Sequence, residues 1–189
     1  FSLLSPGIVT SNVLTITPEQ LLSNLQTIQK NNAVEQSAKL SSPDFTIEME
    51  TGTGKTYVYL RTILELNARY GLTKFIILVP SVAIREGVLK TIEQTKEHFR
   101  ELYNTGFGHF AYDSGKLAQV REFAAALDMQ TMIMTIQSFN SDTTVMKQAP
   151  DRFHGERPID IVAKTRPVII MDEPQNMETE LAKSAIDEL

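Results

Sequence analysis

The sequence predicts an α/β domain in which helices flank a mainly parallel central sheet. Three observations support this fold class: short apolar segments recur along the chain, segments with helical periodicity separate them, and a Gly-rich turn directly precedes one of these helices. Strands that alternate with helices are typical of parallel sheets, because each helix carries the chain back to the start of the next strand. With 189 residues, of which 42% are hydrophobic, the chain is expected to bury one good core.

Five short segments are predicted to form strands. Residues 45–49 alternate apolar and polar side chains, as a strand with one covered face does. Residues 75–79 are continuously apolar, which favours a central strand covered on both faces. Further strands are predicted at residues 107–112, 131–136 and 167–171.

Apolar residues at helical spacing predict helices between these strands. The first helix begins after Thr17 with Pro18 in its first turn, and it is expected to end before a second short helix over residues 34–40. The other helices are predicted over residues 58–70, 83–103 and 117–127. Residues 138–166 are mostly polar and lack sustained periodicity, so they predict a long loop.

The composition excludes several classes of site. The chain has no cysteine, which excludes disulfides, thiolate zinc sites and cysteine nucleophiles. His98, His109 and His154 lack the spacing of metal ligands and are interpreted as surface or loop residues. A net charge of -5 argues against a uniformly basic nucleic-acid-binding domain, but it leaves room for a local basic strip.

The chain also lacks the signals of membrane insertion and secretion. No apolar segment approaches the roughly 18 residues that a membrane span needs. The N-terminus lacks the basic region that opens a secretory signal. We therefore expect a soluble, cytoplasmic protein without a membrane partner.

Residues 49–56 read Met-Glu-Thr-Gly-Thr-Gly-Lys-Thr and predict a phosphate-binding loop. Glycines in such a turn let the backbone approach phosphate oxygens, and the N-terminus of the next helix attracts an anion. The lysine is expected to reach the β- and γ-phosphates of ATP, and the final threonine to bind Mg²⁺. The predicted ATP-binding residues are Glu50, Thr51, Gly52, Thr53, Gly54, Lys55 and Thr56.

This loop departs from the usual pattern at one position. Met49 stands where the pattern opens with glycine. The alternative is an ordinary flexible turn with a solvated lysine. The predicted strand before the turn and the predicted helix after it favour the phosphate loop, because that motif requires this context.

The predicted strand at residues 167–171 leads directly into two acidic residues, Asp172 and Glu173. Ligands of parallel α/β sheets gather at the carboxyl ends of the strands. Asp172 is therefore a candidate Mg²⁺ ligand, and Glu173 a candidate general base that, together with Lys55, would carry catalysis. Alone, two acids after a strand would be an ordinary surface turn, and it is the phosphate loop that favours the catalytic interpretation.

With both motifs in place, the chain resembles the first RecA-like domain of a superfamily 2 helicase. Three segments give a narrower resemblance, to the Res subunit of Type III restriction enzymes: residues 49–59, residues 79–88, and Asp-Glu-Pro-Gln at residues 172–175. The resemblance extends from the helix around Gln26 to Met177. It implies a three-layer P-loop NTPase (RecA-like) fold.

The resemblance also implies an activity and its partners. A Res subunit couples ATP-dependent translocation or switching on double-stranded DNA to endonucleolytic cleavage. Its cofactors are ATP and Mg²⁺, and it acts with a modification subunit that recognises the DNA sequence and uses S-adenosylmethionine. The positions that resemble DNA-contacting motifs are Ser81, Arg85, Gln137 and Ser138. From the residues alone, Ser81 is more simply the N-cap of a helix.

We expect residues 1–44 to form a helical lead-in packed on a motor lobe at residues 45–189. The resemblance further implies that the second RecA-like lobe, with its arginine fingers, and the nuclease domain would lie beyond Leu189. Two alternatives remain at this point: another superfamily 2 translocase, such as a Type I restriction motor or a repair helicase, and a non-hydrolysing nucleotide-binding or interaction module. The residue that reads adenine is also open among Gln20, Gln26, Gln29 and Gln36.

Overall fold

The structure, a computed structural model, describes residues 9–138, 141, 143–149, 155–177, 183 and 186–189. His154 therefore lies outside the described residues. The chain divides into two compact units, one comprising Val13–Thr53 and the other comprising Phe1–Asn12 with Gly54–Leu189. None of the helices among the described residues is both long enough and apolar enough to cross a membrane.

A parallel sheet of four strands forms the centre of the larger unit. The strands are β1 (Lys74–Val79), β2 (His109–Ala111), β3 (Gln130–Thr135) and β4 (Val168–Met171). Their order in the sheet is β2-β3-β1-β4, and every adjacent pair runs parallel. In the register of the central strand, Phe75 lies beside Thr131 of β3 and Val168 of β4. The predicted α/β class with a parallel sheet is confirmed.

Five α-helices are present in the described residues: α1 (Pro18–Asn31), α2 (Lys55–Tyr70), α3 (Val82–Tyr103), α4 (Ala118–Ala125) and α5 (Pro158–Lys164). Short 3-10 helices follow β3 at Ile136–Ser138 and β4 at Pro174–Met177. Helices α2 to α5 belong to the larger unit, and α1 belongs to the smaller one.

The sheet separates two hydrophobic cores. Successive side chains of a strand point to opposite faces, so Ile76 and Leu78 of β1 enter one core while Phe75, Ile77 and Val79 enter the other. The first core also contains buried side chains of α4 and α5, and the second contains those of α2 and α3. Helices therefore cover both faces, which makes the three layers of the predicted architecture.

The strand predicted at residues 45–49 does not form. These residues pair with none of the four strands, and Ile47 is 74% exposed. A strand is stabilised by its neighbours in a sheet, so the alternation of side chains was not sufficient by itself. Further along the chain, the other four predicted strands are confirmed, with small differences at their ends.

The second helix predicted over residues 34–40 is also absent. Helix α1 ends at Asn31, and Ala33 then adopts a left-handed backbone conformation (φ 55°). Two glutamines of α1 hold the segment that follows in a non-helical form. Gln26 donates to the backbone oxygen of Ser37 at 2.9 Å, and the Gln29 side-chain oxygen accepts from the Ser37 N–H at 2.8 Å.

The long loop predicted over residues 138–166 was wrong in its second half, where α5 forms. Ile159, Ile161 and Val162 of this helix are buried in the core with α4. The helix has only seven residues, which is too short to show sustained periodicity in the sequence. Its one local signal is Pro158 at the first helical position.

Helix α1 begins as the sequence predicted. The Thr17 hydroxyl accepts from the Gln20 N–H at 3.3 Å, and the Gln20 side chain accepts from the Thr17 N–H at 2.9 Å, which completes a capping box. No residue of α1 is buried. The helix therefore depends on local interactions, and its expected packing as a lead-in on the motor lobe stays a prediction.

Candidate nucleotide site and groove

The predicted acidic pair lies at the point where the order of the strands reverses. Within the sheet, β2 and β3 lie on one side of β1, whereas β4, the last strand in the chain, lies on the other side of β1. In parallel α/β sheets, ligands bind outside the carboxyl ends of the strands at such a reversal. The Asp172 N–H donates to the Leu78 oxygen at 3.0 Å, so the pairing of β1 and β4 continues into the acidic pair.

Helix α2 starts directly after the predicted phosphate loop. Gly54 is its N-cap, with a left-handed φ of 88°, and no side chain caps the helix there. No acidic residue occupies the first turn either. The helix therefore supplies no anionic group of its own for its first N–H groups or for its dipole. An N-terminus that binds an anion must be free in this way. Lys55 and Thr56, half-buried, are the first residues of the helix.

The preceding residues of the loop belong to the smaller unit and form a turn there. The Thr53 hydroxyl donates to the Glu50 oxygen at 2.6 Å, and Thr51 and Gly52 lie in the turn between them. Gly52 has a φ of 81°. A Cβ atom at Gly52 or at Gly54 would meet nothing within 4 Å. Glycine is therefore required at these positions by the backbone conformation and not by crowding.

The structure brings the two predicted catalytic residues together. The Lys55 ammonium lies 3.5 Å from a carboxylate oxygen of Glu173, and about a third of each side chain is exposed. Glu173 has a left-handed backbone conformation, with a φ of 57°. This conformation is unfavourable for a residue with a side chain and is often found at functional sites.

One of the two predicted metal ligands, Asp172, has a neighbour that the sequence analysis missed. The Tyr59 hydroxyl donates to a carboxylate oxygen of Asp172 at 3.4 Å. Burial raises the pKa of Tyr59 above its ordinary value, so the phenol stays protonated and can donate. The sequence could have indicated this position. Tyr59 follows Thr56 by three residues, and residues three apart lie on one face of a helix.

The electrostatics of Asp172 favour a cation beside it. Burial raises the pKa of the Asp172 carboxyl, and the negative charge of Glu173 raises it further. The positive charge of Lys55 and the hydrogen bond from Tyr59 oppose this effect. A partly buried carboxylate with an acidic neighbour gains from additional positive charge.

The donors at this position fit Mg²⁺. Mg²⁺ prefers oxygen ligands and is usually held by one or two carboxylates together with substrate phosphates, and not by an all-protein cage. Thr56 and Asp172 supply a hydroxyl and a carboxylate. Among the described residues, no group of three or more histidine, cysteine or acidic side chains could hold a metal ion.

A groove lies beyond the carboxyl ends of β2 and β3, strands that lie on the other side of β1 from β4. It is a cavity of about 620 Å³, and three of the four predicted DNA-contacting residues line it: Arg85, Gln137 and Ser138. The Gln137 side chain donates to the Pro80 oxygen at 3.1 Å, which connects the ends of β3 and β1. The remaining lining residues are Ala111, Tyr112, Asp113, Ser114, Lys116, Thr143, Thr144 and Val145.

The fourth predicted contact, Ser81, does not line the groove. Its hydroxyl accepts from the Ile84 N–H at 3.3 Å and caps α3, as the simpler interpretation of the sequence held. Lys116 lines the groove but was missed by the sequence analysis, because no motif contains it. Its only signal was its position in the turn that follows a strand.

The chain is similar to proteins of one known family. Residues 18–187 match the family described as Type III restriction enzyme, res subunit. The chain is 29% identical to the Res subunit of the Type III restriction-modification enzyme EcoP15I of Escherichia coli, over 88% of this chain and 19% of the relative. It is 28% identical to the EcoPI Res subunit of Escherichia phage P1, with the same coverage.

A third relative is the StyLTI Res subunit of Salmonella typhimurium, which is 36% identical over 68% of this chain and 15% of the relative. The chain thus spans less than a fifth of the length of each of these relatives. The family match, in contrast, covers most of the chain, including the predicted phosphate loop and the acidic pair. The chain belongs to the family of Type III restriction enzyme Res subunits.

Proposed function

We propose that this chain is the ATP-binding, DNA-contacting motor lobe of an ATP-dependent Type III restriction endonuclease. In this proposal, ATP hydrolysis at the lobe drives translocation or switching on DNA before cleavage. The observation that carries it is the contact between Lys55 and Glu173, whose charged groups lie 3.5 Å apart at the reversal of the strand order. The two motifs that ATP hydrolysis needs therefore converge although they are distant in the sequence.

In this proposal the start of α2 binds the phosphates of ATP. The N–H groups after Gly54 and the Lys55 ammonium face the β- and γ-phosphates, as in other phosphate loops. Thr56 and Asp172 hold Mg²⁺, which neutralises part of the phosphate charge when it is bound. Positioning and charge neutralisation of this kind supply most of the catalysis in phosphoryl transfer.

Glu173 is the proposed general base. In the structure its carboxylate is a counterion of Lys55. The phosphates of ATP carry more negative charge than one carboxylate and would compete for this lysine, which would leave Glu173 to accept a proton from the attacking water. The contact between the two residues is thus the resting form of the proposed site.

The groove beyond β2 and β3 is the proposed contact with the DNA backbone. Arg85 and Lys116 supply positive charge in a chain whose net charge is -5, and Gln137 and Ser138 supply hydrogen-bonding groups. Contacts of these types position a protein on DNA without reading its sequence. Sequence recognition is accordingly assigned to a modification subunit that uses S-adenosylmethionine.

The test uses the complete protein that contains this chain, and it measures ATP hydrolysis with and without double-stranded DNA. We expect hydrolysis to be stimulated by DNA. The Lys55→Ala variant should lose Mg-ATP binding, because the phosphates lose their principal cation. Lys90→Ala serves as the control, since it removes an exposed lysine of α3.

Two results would contradict the proposal. Unchanged Mg-ATP affinity in Lys55→Ala would contradict the assigned nucleotide site. Normal ATP binding without DNA-stimulated hydrolysis would contradict the motor function and support a non-hydrolysing nucleotide-binding module instead.

A further inference from the structure

Tyr59 lies beside Asp172, one of the two residues proposed to hold Mg²⁺. Its hydroxyl is 3.4 Å from a carboxylate oxygen of Asp172. The next residue of α2, Leu60, is fully buried in the core against β1. The tyrosine is therefore anchored in a rigid helix whose packing fixes the position of its hydroxyl.

The direction of this hydrogen bond follows from the number of protons. A tyrosine hydroxyl has one proton, and it donates that proton to Asp172, because a carboxylate can only accept. The bond engages one carboxylate oxygen and leaves the second oxygen of Asp172 available to a cation.

We propose that Tyr59 is a positioning residue that orients the Asp172 carboxylate as a ligand for the divalent cation of the bound nucleotide. The inference rests on the nucleotide site proposed above. It assigns Tyr59 no contact with ATP or with the cation, since it acts only through Asp172. Groups that orient metal ligands in this way commonly change metal affinity about 10- to 100-fold when they are removed.

The test is the Tyr59→Phe variant of the complete protein, which keeps the ring and removes one oxygen. Binding of Mn²⁺ to the protein with a fluorescent ATP analogue is followed by electron paramagnetic resonance. We expect Mn²⁺ affinity to fall about 10-fold. Affinity for the analogue in the presence of a chelator should not change, because Lys55 and the helix N-terminus are intact.

Tyr57→Phe is the matched control. Tyr57 is on the same helix, and its hydroxyl is 2.9 Å from Nε2 of His98, away from the acidic pair. Its loss should leave Mn²⁺ affinity unchanged. A general effect of removing a tyrosine hydroxyl from α2 would appear in both variants and would contradict the proposal.

A second measurement tests whether Tyr59 acts through Asp172. If it does, Tyr59→Phe should change Mn²⁺ affinity much less in an Asp172→Asn background than in the wild type. Equal effects in the two backgrounds, or wild-type Mn²⁺ affinity in Tyr59→Phe, would overturn the positioning role. If the wild type fails to bind the nucleotide, or binds it independently of Lys55, the proposed site itself fails.

Discussion

Glu173, the proposed general base, has an unusual backbone conformation. Its left-handed conformation (φ 57°) follows the extended pairing of Asp172 with β1 and directly precedes the 3-10 helix at Pro174–Met177. Such a conformation costs about 1 to 2 kcal/mol for a residue with a side chain. The turn that it makes leaves the carboxylate beside Lys55, and this position gives the strain a functional explanation.

The general-base role makes a prediction for Glu173→Gln. This variant keeps the size of the side chain but removes the proton acceptor. We expect Mg-ATP binding to persist while the rate of DNA-stimulated hydrolysis falls roughly 100-fold or more. Single-turnover hydrolysis and equilibrium ATP binding measure the two effects separately. Glu101→Gln changes an exposed carboxylate of α3 and should hydrolyse ATP normally; near-normal hydrolysis in Glu173→Gln would exclude the base role.

Lys74 is a buried charge that takes no part in the proposed site. Its side chain is fully buried at the start of β1, where the ammonium donates to the Ala126 oxygen and lies 5.5 Å from the centre of the Phe123 ring. Burial lowers the pKa of Lys74 to about 8 from an ordinary value of 10.5, while the charge of Asp128 opposes the change. The charged form is thus destabilised by folding.

This lowered pKa predicts how stability changes with pH. Between pH 8 and 10.5 the unfolded chain binds a proton at Lys74 that the folded chain does not, so folding becomes more favourable as the pH rises through this window. The free energy of unfolding should increase by up to about 3 kcal/mol relative to a Lys74→Met variant. Urea unfolding of both proteins across the window measures the difference. A constant difference would mean that the lysine titrates normally in the fold.

At the scale of elements, helix α1 is stabilised mainly by its own sequence. None of its residues is buried, and its first turn is held by the capping box of Thr17 and Gln20. A helix without a buried face gains little from packing, so the cap carries an unusually large share of its stability. Hydrogen bonds that Gln26 and Gln29 make with Ser37 add a second local support at the other end.

The capping box makes Thr17→Ala informative. Loss of the hydroxyl should destabilise the first turn of α1 by about 1 kcal/mol, which corresponds to about fivefold faster opening of its amides. Hydrogen exchange at residues near Leu21 measures this change. Thr27→Ala is the matched control, because the Thr27 hydroxyl donates a hydrogen bond to the Ser23 oxygen within the helix and does not cap the end of the helix. Equal exchange in Thr17→Ala and the wild type would show that the cap is dispensable.

At the scale of the whole molecule, the larger unit is held together by a sheet that is covered on both faces. The central strand β1 contributes alternate residues to both cores, and α5 belongs to one of them although the sequence suggested a loop there. The same sheet aligns the carboxyl ends of β1, β3 and β4. The core and the candidate site therefore depend on one set of strand pairings.

Ile159 of α5 tests this dependence. The residue is fully buried, so Ile159→Ala should leave a cavity and lower the free energy of unfolding by about 2 to 5 kcal/mol. Denaturant unfolding measures the loss. Leu127→Ala provides the control, because Leu127 is 83% exposed and should change stability by less than about 0.5 kcal/mol. A loss at Ile159 no greater than at Leu127 would show that α5 is not part of the core.

The sequence predicted the features whose signals are local. Four strands, the long helices and the start of α1 were recognised from apolar patterns, periodicity and caps. The strand predicted at residues 45–49 did not form, because alternation of side chains is not sufficient without a neighbouring strand to pair with. Helix α5 was missed because a helix of seven residues is too short to show helical periodicity in the sequence. Tyr59 and Lys116 were missed because no motif includes them.

The sequence by itself determined the chemical inventory: a Gly-Lys-Thr turn before a helix, an acidic pair after an apolar strand, and the family to which both belong. Tertiary structure decided which of these groups meet. Lys55 and Glu173, or Tyr59 and Asp172, come together only because β1 and β4 pair in one register and α2 packs on the face that contains Ile77. Local propensity acts over a few neighbouring residues, whereas these contacts are fixed by strand pairing and burial across the whole unit.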